Sequence, residues 1–325
     1  MSNQITTSMV KEFSDNLTFV AQQTGSRLRN TVQLHTGTIG EEYFMDRIGK
    51  VAAQEVNTRH ADSPLIETPH ERRRVTPRDF NWGDLVDSFD QLRVIIADPA
   101  SAYMQTGGMA MGRKIDEVIL DAAYGTSYLG KDGSTAASWA TSDANVGSDV
   151  NIVAVNSTKH IGSTAQADTG LTISKLIEAR GMLMKNEVLN YNEGGISDVY
   201  VVCSHRQIEN LLNSVQVQSV DYNALRALVE GQVHHFMGMN FIQTELLPSK
   251  VQAAADITGS SDITSDRVLV FQTNAIGLCI WKDITGEIAP RADKRFSLYT
   301  YAEMTVGATR LDEKRMVEIE CNQAG

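Results

Sequence analysis

Two sequence pairs combine residue types that could do chemistry. Ser204 and His205 are a nucleophile and a base side by side, but adjacent side chains project in different directions. A capping serine beside a surface histidine is therefore the favoured interpretation. His70 and Glu71 begin the HExxH pattern of metalloproteases, yet Arg74 stands where the second ligand belongs. Neither pair predicts an active site.

Two further groups have the composition of a metal site or an acid–base dyad. His234 and His235 are neighbours, which on a strand point to opposite faces, and no supporting ligand follows at metal-binding spacing. Asp116, Glu117 and Asp121 fall on a predicted helix. Glu117 and Asp121 are four residues apart, and like charges at that spacing are typical of a solvated helix face.

The cysteines are Cys203, Cys279 and Cys321, an odd number without a CxxC pair. They predict buried, unreactive thiols rather than a disulfide framework or a zinc site. The chain also lacks GxxxxGK[ST], a GxGxxG after a strand, and GxSxG. We therefore expect no catalytic residue, no cofactor and no metal, and hence no enzyme.

Composition places the chain among globular proteins. It has 325 residues, 42% of them hydrophobic and 21% charged, which excludes wholesale disorder. No apolar run approaches the roughly 20 residues that cross a bilayer. The net charge of -11 opposes sequence-independent binding to nucleic acid, which requires a surplus of cations. Early charges, Lys11 and Glu12 among them, argue against a secretory signal and predict synthesis in a cytoplasm.

The first two predicted segments cannot bury themselves. Residues 1–40 form an N-terminal arm, in which Met9, Phe13 and Leu17 mark a short amphipathic helix and the polar part after Arg27 is expected to lie on a partner. Residues 41–95 hold three of the six prolines, Pro64, Pro69 and Pro77. They predict an extended hairpin with arms at about 44–60 and 70–83 and its tip near residues 62–64.

The remaining segments mix helices and strands without βαβ alternation, which predicts an α+β fold. Residues 96–170 open with a long helix of about 26 residues from Asp98-Pro99 to Gly125, followed by an exposed excursion with one strand. Residues 171–280 form a central domain with a buried strand at 199–203. Residues 281–325 return and close in a half-buried strand, in which Glu318 and Glu320 alternate with apolar residues.

The densest basic cluster lies on the predicted hairpin and consists of Arg72, Arg73, Arg74 and Arg78. Three interpretations stay open: a solvated face, pairing with acidic residues of a neighbouring subunit, or contact with nucleic acid. The second adds these residues to a set of candidate intersubunit contacts that comprises Met9, Phe13, Leu17, Arg72, Arg73, Arg74, Arg78, Phe80 and Trp82.

This order of segments resembles the major capsid proteins of tailed bacteriophages, and several motifs carry the resemblance. Residues 93–99 (RVIIADP) leading into 112–116 (GRKID) look like that family's entry into its spine helix. The end of the chain, GATR at 307–310 followed by 316–320, is similar to the family's terminal strand. The chain also resembles the family's axial domain in three motifs: GQV at 231–233, GMNF at 238–241 and LLP at 246–248.

The resemblance implies a Hong Kong 97-like capsid fold. It implies a peripheral domain with the spine helix (96–170 and 281–325), an axial domain (171–280) clustering at fivefold and quasi-sixfold axes, and an extended loop (41–95) over an adjacent subunit. Some relatives cross-link through a lysine on that loop. Lys50 is the only lysine here, and because no other residue supports the chemistry we do not carry it over.

The resemblance also implies partners. Copies of the chain are expected to form hexamers and pentamers of an icosahedral shell around double-stranded DNA, without sequence-specific binding and without a membrane. A separate scaffolding protein, a portal and a cement or decoration protein are further expected partners. The protein would be assembled in the host cytoplasm and end in the virion. Two alternatives stay open: an encapsulin-like compartment shell and an α/β enzyme with an unrecognised site.

Overall fold

The computed structural model describes residues 22–55, 57, 59, 65–86, 99–139, 151–155, 157, 169–189, 198–213, 234–252 and 263–323. Helices and strands are mixed along the chain, which confirms the predicted α+β class. The described residues belong to two compact units. Unit 1 is drawn from Met1–Ser26, Arg78–Lys114 and Lys282–Thr305, and unit 2 from Arg27–Pro77, Ile115–Trp281 and Val306–Gly325.

The long helix α1 spans Pro99–Tyr124, 26 residues as predicted. Its buried stripe includes Met111, Ile115, Val118 and Ile119, and the backbone N–H of Gly125 bonds to the Asp121 carbonyl at 2.8 Å to end the helix. The predicted cap at Asp98 lies outside the described residues. So do the predicted N-terminal helix and the hairpin tip near 62–64.

Unit 2 is built on a seven-stranded sheet. Its strands are β7 (Ile152–Val153), β8 (Val199–Cys203), β9 (His235–Phe236), β10 (Met239–Gln243), β11 (Ser249–Gln252), β12 (Ile263–Gln272) and β15 (Met316–Asn322). Six of them run in the order β7-β15-β12-β8-β10-β9, and β11 pairs with β12. The predicted buried strand at 199–203 is confirmed at the centre of this sheet.

Two helices accompany the sheet. Helix α2 spans Ile173–Lys185 and is capped by the side chain of Thr172, and helix α3 spans His205–Asn213. Leu176 and Leu183 of α2, Leu211 of α3 and Val270 of β12 share one hydrophobic core, in which they are at most 1% exposed. This core gives unit 2 its own stability.

The closing strand β15 differs from the prediction. Glu318 and Glu320 are 0% and 5% exposed, so the strand is buried on both faces. Each carboxylate has a cationic partner: Glu318 pairs with Arg267 at 2.5 Å, and Glu320 pairs with Lys250 at 2.8 Å. The predicted alternation of charged and apolar residues is present. The charged face is buried as well, because each carboxylate meets a cation there.

A four-stranded sheet in unit 2 has the order β2-β3-β5-β6, with β2 (Tyr43–Ile48), β3 (His70–Val75), β5 (Thr126–Leu129) and β6 (Thr135–Ser138). Strands β2 and β3 are antiparallel from Tyr43↔Val75 to Ile48↔His70, as expected for the hairpin. The predicted strand of the excursion after the long helix is present as β7, but the described part of this segment also contains β5 and β6, so the prediction of a single strand is wrong. Strands β5 and β6 pair with each other, and Trp139 at their end is only 4% exposed.

Two long strands, β13 (Ile276–Arg291) and β14 (Ser297–Arg310), each contribute residues to both units. Unit 1 contains residues 282–291 of β13, residues 297–305 of β14 and the strand β4 (Arg78–Val86), in the sheet order β13-β14-β4. The predicted second hairpin arm, 70–83, is therefore divided at Pro77 between β3 and β4, which belong to different sheets. Trp82 fills the space left by the missing side chain of Gly107 in α1.

The prediction that the polar segment after Arg27 needs a partner surface is wrong for residues 27–36. Leu28 is 0% and Val32 4% exposed within unit 2, and β1 (Gln33–Thr36) pairs in parallel with β13 through Gln33↔Gly277 to Thr36↔Ile280. The sequence could not reveal this pairing, because the partner strand lies more than 200 residues away.

Candidate functional site

The residues with catalytic composition are not brought together. Ser204 donates to Gln207 and opens helix α3, whereas the ring of His205 contacts Glu245 at 3.0 Å. Ser204 directly precedes α3 as predicted, but its hydroxyl donates to the Gln207 side chain instead of accepting a backbone N–H, and Gln207 Oε1 accepts the Ser204 backbone N–H at 2.7 Å. Among the described residues there is no group of three His, Cys, Asp or Glu side chains that could hold a metal ion.

The three cysteines are buried and free, as the sequence predicted. Burial raises the pKa of Cys203, Cys279 and Cys321 to about 12, so the thiolate that nucleophilic chemistry requires is absent at neutral pH. The described helices include none that is long and apolar enough to cross a bilayer.

The most exposed apolar side chains of unit 2 lie on and beside the hairpin. Leu65 and Ile39 are 93% and 92% exposed, and Ile48 is 69% exposed. Residues 51–55 and 65–69 on either side of the tip are exposed without exception. The hairpin thus extends beyond what its own unit covers, and large apolar residues in water indicate a surface that a partner buries.

The base of the hairpin is fixed by buried charges. Arg73 of β3 is 0% exposed, and its guanidinium donates to Glu313 Oε2 at 2.7 Å and to Ser127 Oγ at 3.0 Å. Arg310 is also 0% exposed and lies 3.6 Å from Glu313. Arg47 of β2 approaches the same carboxylate at 3.6 Å. Glu313 therefore joins both hairpin strands to the end of β14.

Arg310 extends this cluster to the end of helix α1. It donates to the carbonyl oxygens of Ala123 at 3.0 Å and Ala137 at 2.8 Å and to that of Gly125, and its guanidinium lies 5.6 Å from the Trp139 ring. A cation at a helix C-terminus is stabilised by the free carbonyls there. The hairpin, the long helix and the β5–β6 pair are thereby held in one arrangement within unit 2.

Apolar packing holds the hairpin base from a second side. Met45 and Val75 are buried with Cys279 of β13, and Gly277 leaves the space that Met45 fills. The base is therefore held by buried residues, whereas the described residues beyond it, 51–55 and 65–69, are exposed.

The predicted basic cluster is divided by the alternation of the strand. Arg73 points inward and is buried in its own unit, so its prediction as an intersubunit contact is wrong. Arg72 pairs with Asp46 at 2.6 Å, and Arg74 pairs with Glu42 at 3.0 Å. Arg72 is exposed and Arg74 is half-buried, both on the face of β3 opposite to Arg73, and Arg78 is an exposed residue of β4 in unit 1. For these three residues an intersubunit contact remains a prediction.

The other predicted contact residues lie in unit 1 or outside the described part. Phe80 is half-buried beneath Lys114 at 5.5 Å, and Trp82 is half-buried against α1. Met9, Phe13 and Leu17 are outside the described residues. Lys50, the one lysine of the hairpin, binds Glu187 at 3.0 Å through an exposed ion pair.

The sequence did not identify the charged residues that are buried in unit 2. Asp116 was grouped with a solvated helix face, yet it is 0% exposed and accepts the backbone N–H groups of Arg27 at 3.0 Å and Leu28 at 3.1 Å. Glu313 was not singled out, and Arg310 was named only as the last residue of the GATR motif. One available signal was Trp139, a large aromatic residue in a segment of small residues, which indicates a buried position there.

A family model for phage capsid proteins matches residues 5–323. Among solved structures, the capsid of Cyanophage P-SCSP1u is similar with a TM-score of 0.68 and 14% identity over 99% of this chain and 96% of that one. The Cyanophage Pam1 capsid has a TM-score of 0.68 and 12% identity over 98% of each chain. The head structure of Helicobacter pylori bacteriophage KHP40 has a TM-score of 0.67 and 9% identity, covering 99% and 98%. No curated protein matches the sequence.

Proposed function

The chain belongs to the phage capsid protein family, and from this membership we propose that its copies close into the icosahedral head shell around the double-stranded DNA of a tailed phage. It is the major shell protein and a component of the virion capsid. The observation that carries self-assembly is the hairpin, whose base is held by buried residues and which exposes Ile48 at the end of β2 and Leu65 beyond it. In a shell, the next copy of the chain covers these side chains.

The hairpin contributes to assembly through many repeated contacts. One exposed aliphatic side chain gains about 1.5–3 kcal/mol when it is fully buried. Because every subunit makes and receives the same contact in a closed shell, small gains per copy become cooperative. Arg72, Arg74 and Arg78 add exposed charges, which serve the choice and orientation of the partner more than the affinity.

The remaining parts of the function follow from the family resemblance. We extend the proposal to the five segments: the arm (1–40), the extended loop (41–95), the peripheral domain (96–170 and 281–325) and the axial domain (171–280). A scaffolding protein, a portal and a cement or decoration protein are proposed partners. Assembly takes place in the host cytoplasm. The net charge of -11 suits a container whose contents must not adhere to its wall.

A hairpin-shortened variant tests this function. The backbone N–H of Gly49 bonds to the Pro69 carbonyl at 2.9 Å, so residues 50–68 can be replaced by a two-residue Asn-Gly turn without moving the buried base. We expect this variant to fold, because its core is untouched, and to form no shells. Circular dichroism reports the fold, and negative-stain electron microscopy reports the particles.

The matched control is Glu55→Gln, which changes an exposed polar residue of the same hairpin and is expected to leave shells intact. Normal particles from the shortened variant would contradict the role of the hairpin. The rival interpretation as a compartment shell predicts protein cargo instead of DNA. Nuclease-protected nucleic acid in particles from phage lysates distinguishes the two.

A further inference from the structure

Strand β3 continues beyond the end of its neighbour β5 and leaves a free edge there. The two strands pair at only two positions, one of which is Arg73↔Leu129 at the end of β5. Gly130 follows with a φ of 94°, a conformation that glycine adopts readily, and the chain turns away from β3 at this residue. Residues 70–72 of β3 therefore have β2 on one side and, within the described part of the chain, no strand on the other.

The free edge of β3 lines a pocket of about 660 Å³, a volume typical of ligand sites. The lining consists of residues 70–72 of β3, Asp46 of β2 and residues 129–131 at the end of β5. A free strand edge offers backbone N–H and C=O groups that can pair with another extended chain. Three strand residues at about 3.4 Å each give an edge of roughly 10 Å, which accommodates about three residues of an added strand.

The uncompensated charge of this pocket is positive. Its two carboxylates each have an arginine, because Asp46 pairs with Arg72 at 2.6 Å and Glu71 is bound by Arg47. Lys131 is exposed, and its side chain forms no ion pair or hydrogen bond with any residue that the structure describes. A lysine without a counter-charge is thus presented beside a free strand edge.

Charge indicates which strand fits the edge. A neutral or basic strand would leave Lys131 without a partner or repel it, whereas a carboxylate would neutralise it. Charged side chains beside a strand edge also discourage unspecific pairing, so the same lysine that admits an acidic strand works against others. DNA is the less favoured occupant, because Asp46 and Glu71 lie in the same pocket and repel phosphates.

Two segments of the same chain are less suited to this edge. Residues 1–21 contain one lysine and two carboxylates, so they are not an acidic run. At the other end of the described part, the backbone N–H of Gln323 already bonds to the Thr264 carbonyl at 3.2 Å. These observations favour a segment of another protein as the occupant.

We propose that this pocket binds an acidic, extended segment of another protein, which adds a strand to the free edge of β3 and places a carboxylate against Lys131. The inference goes beyond the proposed function. All the lining residues belong to unit 2 of a single copy, so the site does not require a shell. A failure of shell formation and a failure of this site are therefore distinguishable.

The test uses the unassembled full-length chain and a short, fluorescently labelled peptide of alternating glutamate and valine. We expect this peptide to bind, as measured by fluorescence anisotropy. Lys131→Glu should raise the dissociation constant about five- to tenfold, because a repulsion replaces an attraction. Lys294→Glu makes the same charge change at an exposed position of unit 1 and is the matched control, which should leave binding unchanged. Hydrogen exchange of the amides at 70–72 should slow when the peptide is bound.

Three further ligands separate strand addition from other modes of binding. The same peptide with N-methylated backbone amides keeps its charge but cannot complete a ladder, so it should bind much more weakly. Equal binding of this peptide, or of one with lysine in place of glutamate, would overturn the proposal. Displacement of the acidic peptide by a single-stranded oligonucleotide would assign the pocket to phosphates and overturn it as well.

The remaining outcomes also decide the matter. If the acidic peptide does not bind the wild-type chain at millimolar concentration, the site is refuted. If peptide binding is lost when copies of the chain associate, another copy is the occupant, and the proposal of a separate partner is wrong. Binding that persists on associated copies and weakens only in Lys131→Glu supports it.

Discussion

At the scale of single residues, the charges inside unit 2 are the parts most sensitive to change. Arg73 and Arg310 are both 0% exposed and share the carboxylate of Glu313. Removing one partner of a buried ion pair is far more costly than removing an exposed one, because the remaining charge cannot return to water. The direction of the hairpin therefore depends on a residue that lies outside it.

The variant Glu313→Ala should destabilise the chain by about 3–5 kcal/mol, the usual cost of leaving a buried charge uncompensated. Urea denaturation of the unassembled protein measures this loss. The control is Glu42→Ala, which removes the exposed partner of Arg74 and should cost no more than about 1 kcal/mol. Equal effects of the two substitutions would show that the cluster does not hold the hairpin base.

The sequence could predict the cysteines but not the buried charges. A free thiol behaves as a small apolar side chain whatever surrounds it, so its burial follows from residue type and spacing. A charged side chain is buried only where partners meet it, and Glu318 has two, Arg267 and the indole N–H of Trp139, which are 51 and 179 residues away in the chain. A pattern within one sequence does not reveal that residues so far apart in the chain are in contact.

At the scale of secondary-structure elements, helix α1 shows what local pattern can and cannot establish. The apolar stripe and Gly125 predicted its existence and its end. Glycine disfavours the helical conformation, yet the helix is continuous from Pro99 to Tyr124 through the Gly107-Gly108 pair. The two glycines differ only in their surroundings: Gly107 faces Trp82, and Gly108 faces open space.

Alanine substitutions at these two glycines should therefore have opposite signs. Gly108→Ala should stabilise the chain by about 0.5–1 kcal/mol through helix propensity. Gly107→Ala should destabilise it by about 1–3 kcal/mol, because the added methyl group overlaps the Trp82 ring. Differential scanning calorimetry of the unassembled variants tests the pair. A stabilising effect of Gly107→Ala would mean that Trp82 does not pack on this helix.

Other elements could not be predicted from the sequence, because pairing with a distant strand overrides a weak strand propensity. Strands β5 and β6 consist mainly of small and polar residues, and they are strands because β3 offers the Arg73↔Leu129 and Arg74↔Tyr128 register. The hairpin was predicted from its prolines and charges. Its division at Pro77 was not, since the flanking strands have similar composition and only the two sheets they join differ.

At the scale of the whole molecule, the chain leaves several large apolar side chains exposed to solvent. Unit 2 has a dense core at the seven-stranded sheet and a projecting hairpin whose apolar residues stay in water. In unit 1, Phe296 is exposed at the turn between β13 and β14. A protein that acted alone would gain stability by burying both. A shell subunit instead keeps them for its neighbours.

The most direct measurement is a symmetry-averaged electron cryomicroscopy map of the assembled wild-type chain. We expect closed icosahedral shells in which Leu65 and Ile48 of each hairpin are buried against the adjacent copy. A small oligomer that never closes, or a shell in which those side chains stay in solvent, would contradict the proposal that this chain assembles through its hairpin.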